Sequence, residues 1–88
     1  MKKNAEINNV KKNKSTSKQQ LAYDRLKNLI ISNTLKPDTL IAERKICASL
    51  NISRTPVREA LRRLASEGFV EIIPEKGAFV SHIRLEDI

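Results

Sequence analysis

A small, mostly α-helical fold closed by a β-hairpin is what this sequence predicts, and three observations predict it. Apolar residues recur with a helical period in separate stretches up to residue 68. Beyond Gly68 the pattern turns β-branched and partly alternating, first in Phe69-Val70-Glu71-Ile72-Ile73 and again in Ala78-Phe79-Val80-Ser81-His82. The chain has 88 residues, enough for one small domain with a modest core.

The first helix is expected to start near Ser17, because Ser17 and Gln20 have the spacing of a capping box. Ala22, Tyr23, Leu26, Leu29 and Ile30 fall on one arc of its wheel. Asn33 supplies the stop, since Asn tolerates the left-handed conformation. Leu35-Lys36-Pro37-Asp38 reads as a turn and Thr39-Leu40-Ile41 as a very short strand. A second helix spans Glu43 to Leu50, with Ile46, Cys47 and Leu50 on its apolar face. Ala42 caps it poorly, having no side-chain acceptor. Asn51 breaks it, and about three or four residues lead to the next helix, the spacing of a helix-turn-helix.

The third helix organises the chain. From Ser53 to Gly68, Val57, Ala60, Leu61 and Leu64 form an apolar stripe, and Arg54, Arg58 and Arg62 form a basic ridge beside it. Two starts fit: Thr55 as the cap before Pro56, or Ser53 as the cap with Arg54 already helical. Either way, Arg54 and Arg58 lie in or near the first turn, where unpaired N–H groups and guanidiniums together suit phosphates and guanine edges. Gly68 ends the helix. Pro74-Glu75-Lys76-Gly77 turns the hairpin. Helix, short strand, helix, helix, hairpin is the order of a winged helix-turn-helix, mostly α with three helices and a wing. Leu26, Leu29, Ile30, Ile46, Leu50, Ile52, Val57, Leu61, Leu64, Val70, Ile72 and Val80 are the expected core, with Tyr23 lining it. That core leaves no walls for a ligand-sized pocket.

The formal net charge is +7. Residues 1–20 hold six Lys and one Glu, so most of the excess lies in the tail and the folded part must concentrate its charge to use it. Arg54, Arg58, Arg62 and Arg63 do so, which points to a polyanion. Residues 1–16, rich in Lys and Asn, form a disordered basic tail that is solubilising before it is functional. Residues 17–83 form the domain, and 84–88 open a linker. A single cysteine, Cys47, excludes a disulfide framework and a multi-Cys metal site. His82 lacks partners for metal binding and is read as an ordinary strand residue. No cofactor is implied. No nucleophile–base pair or phosphate-binding glycine loop supports an enzyme. Signal peptide and membrane span are both missing from the sequence, so a cytoplasmic protein without a membrane partner is expected.

Leu50-Asn51-Ile52-Ser53-Arg54-Thr55-Pro56-Val57-Arg58-Glu59-Ala60-Leu61-Arg62-Arg63-Leu64, then Glu67-Gly68-Phe69-Val70, then Pro74, Gly77 and Val80, closely resembles the DNA-binding domain of GntR-family bacterial transcription regulators. The match covers roughly residues 20–83 and looks like the FadR-type branch, where an all-helical effector domain follows; Leu85-Glu86-Asp87-Ile88 is similar to the start of that connection. The resemblance implies that Arg54 and Arg58 reach base edges and that Ser53 and Thr55, caps first, also touch phosphates. It implies that Arg44 reaches DNA from the second helix and that Lys76 and Gly77 form a wing tip in the minor groove. Arg62 continues the ridge towards a phosphate; Arg63 points elsewhere. Double-stranded DNA with an inverted-repeat operator is the implied partner, bound by a homodimer, with any effector acting only through a further C-terminal domain. A winged helix used for protein–protein contact is the alternative, though such modules tend to lose the basic ridge. The chain has Ala42 where the family often has Ser, Asn33, Asp38 and Asn51 where it often has Gly, and Lys76 where it usually has Arg.

Overall fold

The computed structural model describes residues 17–82. The expected basic tail and linker lie outside the described residues. Among the described residues, three helices and a hairpin form: α1 (Lys18–Ile31), α2 (Glu43–Leu50), α3 (Arg54–Ser66), β1 (Val70–Ile73) and β2 (Gly77–Val80). The architecture is a winged helix-turn-helix.

Local chemistry sets the boundaries. Ser17 Oγ accepts the Gln20 N–H at 3.0 Å, which is half of the capping box. The other half is not made, because the Gln20 amide engages Asp24 and Arg63 instead, each at 3.0 Å. All three helices stop at a residue with positive φ: Asn33 at 65°, Asn51 at 56° and Gly68 at 89°. Behind two of them the paired bonds of a Schellman cap close the open carbonyls. Ile52 N–H reaches the Cys47 carbonyl at 3.1 Å and Phe69 N–H reaches that of Leu64 at 2.9 Å. Pro37 and Asp38, with φ 67° at Asp38, form a type II turn closed by the Thr39 N–H on the Lys36 carbonyl at 3.2 Å.

Of the two starts open to α3, the structure has Ser53 as the cap residue and Arg54 as the first helical residue. The Ser53 side chain makes no capping bond, and Thr55 is inside the helix. The reason is chemical. A cap oxygen bonds the N–H of the second or third helical residue; the third here is Pro56, which has none, so only the Thr55 N–H is left as a donor and it is not used.

The hairpin pairs Val70 with Val80, Glu71 with Phe79, Ile72 with Ala78 and Ile73 with Gly77. Its second strand starts one residue earlier than expected and ends at Val80, so Ser81 and His82 lie beyond it. The His82 ring nitrogen sits 3.2 Å from an Asp38 carboxylate oxygen. Segment 39–41 is not a full strand, but Leu40 bridges to Phe79. Ile41 N–H donates to the Ala78 carbonyl at 2.8 Å and Val80 N–H to that of Thr39 at 2.9 Å. The second strand is thus bonded on both edges.

The core is where α1 packs along α3 and the hairpin closes one end. Leu26, Ile30, Val57, Leu64 and Val80 are fully buried, and no polar side chain is buried among the described residues. Leu29, Leu50 and Ile52 are half-buried at its margin. Ile72 departs from expectation at 45% exposure. It shares a strand face with buried Val70, but lies two residues nearer the hairpin tip. Ile41, in the bridging segment, is buried in its place.

Candidate nucleic-acid interface

Wing, α3 and the start of α2 enclose an open groove of about 610 Å³. Arg58, Leu61 and Arg62 come from α3, Glu43 and Arg44 from α2, and Ile72 through Ala78 from the wing, with Leu40 and Ile41 between. The sequence leaves no walls for a ligand-sized pocket, yet this concavity has that size. This groove opens to solvent, and charged side chains border it.

The local folding explains the placement. The α3 stripe of Val57, Ala60, Leu61 and Leu64 is buried, so the helix is pinned with Arg58 and Arg62 facing away from the core. Arg44 stands in the first turn of α2, brought alongside α3 by the Asn51 break. The wing tip is a type II turn: Pro74, then Glu75 at φ 67°, closed by Lys76 N–H on the Ile73 carbonyl at 3.0 Å. Gly77 follows at φ 125°, and a Cβ there would meet Leu40 Cδ1 at 3.0 Å. That position favours glycine for its conformation; the contact falls on the end of the exposed Leu40 side chain, which can move aside.

All eight residues singled out in the sequence are exposed: Arg44, Ser53, Arg54, Thr55, Arg58, Arg62, Lys76 and Gly77. Arg44, Arg58, Arg62, Lys76 and Gly77 line the groove together. Ser53, Arg54 and Thr55 do not; they stand at the α3 N-terminus. Arg54 therefore does not converge with Arg44, Arg58 and Lys76 in one concavity. Arg44, Arg54, Arg62 and Lys76 make no side-chain hydrogen bond or ion pair within the described residues. Arg58 does: its Nε donates to Glu43 Oε1 at 3.1 Å and Oε2 at 3.2 Å. Sequence reasoning missed the acidic and apolar lining, namely Glu43, Glu75, Leu40 and Ile72. Glu43 had one legible signal, its place in the first turn of α2.

Arg63 lies on the other side of α3. Its guanidinium stacks 3.7 Å from the Tyr23 ring centroid, donates to Gln20 at 3.0 Å and pairs with Glu67 at 3.5 Å. The Tyr23 hydroxyl donates to the same Glu67 carboxylate. No helix among the described residues is long and apolar enough to cross a membrane.

Residues 18–80 match the family model described as bacterial regulatory proteins, gntR family. A regulator of the helix-turn-helix type from Streptomyces ambofaciens is 41% identical over 61 residues, 69% of this chain and 26% of its own length. The transcriptional repressor RspR of Escherichia coli is 33% identical over 69 residues, 78% of this chain and 30% of its own. Among solved structures, a GntR transcriptional regulator from Rhodococcus superposes with a TM-score of 0.73 at 35% identity, covering 82% of this chain and 35% of that one. The chain thus spans well under half the length of these relatives. The matched span contains all three helices and the hairpin, with the basic ridge exposed on α3. This chain belongs to the gntR family of bacterial transcription regulators, and residues 18–80 are its winged helix-turn-helix DNA-binding domain.

Proposed function

We propose that the domain reads a specific duplex sequence, with α3 in the major groove and the wing tip, Lys76-Gly77, in the adjacent minor groove. The observation that carries this is a set of exposed cations, Arg44, Arg54, Arg62 and Lys76, without partners among the described residues, with Arg58 beside them. Free guanidiniums are suited to guanine edges and phosphates, and a wing beside a recognition helix spans neighbouring grooves. In this reading Arg54 and Arg58 touch bases, while Ser53, Thr55, Arg44, Arg62 and Lys76 hold the backbone and fix the register. The Ser53 hydroxyl, which makes no capping bond, favours its phosphate role.

The operator is an inverted repeat bound by two copies. This chain alone is mostly monomeric and pairs on DNA, as its small core leaves little surface for a stable interface. The FadR-type branch is the favoured placement, resting on the Leu85-Glu86-Asp87-Ile88 similarity, and an effector acts from a domain other than this one. The working compartment is the cytoplasm, where bacterial DNA resides.

Binding titrations with a selected duplex and a scrambled one test the reading. Arg58→Ala should cost about 1–3 kcal/mol on the selected duplex and relax preference at one base pair. An unchanged ratio of specific to non-specific affinity would remove Arg58 from base reading. Removing residues 1–16 should weaken binding only modestly; total loss would move the interface to the basic tail.

A further inference from the structure

We infer that Glu43 is a positioning residue for base reading, gripping Arg58 by its Nε–H so that its two terminal amino groups are presented in a fixed plane. This rests on the reading of α3 just given. Four of the five cations argued to meet DNA from α2, α3 and the wing have no protein partner within the described residues, and Arg58 alone is held. The grip is specific in its chemistry. One N–H is shared between both carboxylate oxygens, at 3.1 and 3.2 Å. A guanidinium has five donors in a rigid plane, so holding the Nε–H leaves the four on the terminal nitrogens and fixes the direction of their fork. A paired fork is what a guanine O6 and N7 edge accepts.

Glu43 is the less exposed of the pair. It is the first residue of α2, where a carboxylate is favoured by the helix dipole, and its side chain is 27% exposed against 52% for Arg58. It is a carboxylate lining the groove argued to receive a polyanion. Approaching phosphates are repelled by it whatever the sequence, so its charge lowers non-specific affinity. The loss is recovered only where the oriented Arg58 fork finds its base. Glu43 therefore raises discrimination more than affinity.

The experiment enriches a random-sequence duplex library on the 88-residue chain and reads base preference at each position. One enriched duplex and one scrambled duplex are then titrated. Glu43→Ala, Glu43→Gln, Arg58→Ala and the double variant Glu43→Ala with Arg58→Ala are compared, with melting temperature as the check on folding. Glu43→Ala should flatten preference at the same base pair as Arg58→Ala, by about fivefold or more. Affinity for the scrambled duplex should hold or rise. Glu43→Gln, which keeps an acceptor, should restore part of the preference. The double variant should be no worse than Arg58→Ala alone. Unchanged preference in Glu43→Ala, while Arg58→Ala flattens one position, overturns the positioning role and spares the reading of α3. Flattening at a different base pair also overturns it, because Glu43 would then touch a base of its own. No effect of Arg58→Ala on a sequence the parent chain does select overturns the reading of α3, and the positioning role with it. Should Glu43→Ala fail to fold, Glu43→Gln alone decides: it must lower the ratio of specific to non-specific affinity or the inference fails.

Discussion

Arg62 and Arg63 are neighbours in the chain and opposites in the fold. The Arg63 guanidinium sits over the Tyr23 ring at 3.7 Å, donates to Gln20 and pairs with Glu67, and Lys27 approaches the same ring at 5.6 Å. Arg62 has no partner within the described residues and borders the groove. One residue of helix is about 100° of rotation, enough to carry a guanidinium from one side of α3 to the other. On the α1 side a cation is neutralised, stacked and partly covered; it helps hold two helices together. On the wing side Arg62 has no such neighbours among the described residues, and even Arg58, held by Glu43 through its Nε–H, keeps its terminal amino groups free of protein partners there. The residue type says little about which role it has. What lies beneath and beside it decides.

The largest expected effect breaks both sides at once. Leu64 is fully buried in the stripe between the two arginine faces. Leu64→Ala should cost about 2–5 kcal/mol, seen as a lower denaturation midpoint, and should weaken DNA binding only by depleting folded protein. The Arg63 side sharpens the contrast. Arg63→Ala should lose about 1 kcal/mol of stability, since its stacking and ion pair are partly exposed, with specific DNA affinity unchanged. The groove side should give the mirror image at smaller energy. Arg62→Ala and Lys76→Ala should each leave the melting temperature unchanged and lower the slope of log affinity against log salt by about 1. If Arg63→Ala changed the salt slope, or Arg62→Ala the melting temperature, the division between the two sides would be lost.

The order of elements was legible because each boundary is chemically local. Ser17, Asn33, Asn51 and Gly68 act within one turn of chain, and the structure has them at or beside the ends where the sequence places them. The α3 stripe was legible because its period is strict. What the sequence did not reveal depends on distances between elements. Arg58 and Glu43 are fifteen residues apart, and Tyr23 and Glu67 forty-four. Those pairings follow from how α2 and α1 cross α3, which no single helix encodes. Ile72 was placed in the core because alternation gives a face but not a depth. The contrast between Arg54, outside the groove, and Arg62, within it, has the same origin: a wheel gives direction around an axis and not position along it.

The wing's second strand, bonded on both edges, bears on the order in which the domain assembles during synthesis. A two-stranded hairpin is marginal alone, and this one gains a third partner from residues 39–41, about forty residues earlier in the chain. Such a long-separated pairing is slow to close, whereas the helices rest on local contacts. A ribosome releases residues 17–66, with the whole basic ridge, before the hairpin exists. The nascent chain therefore carries its guanidiniums on helices whose groove has one wall missing until residues 72–78 emerge. The groove is complete only when the second strand slots between residues 39–41 and the strand before it.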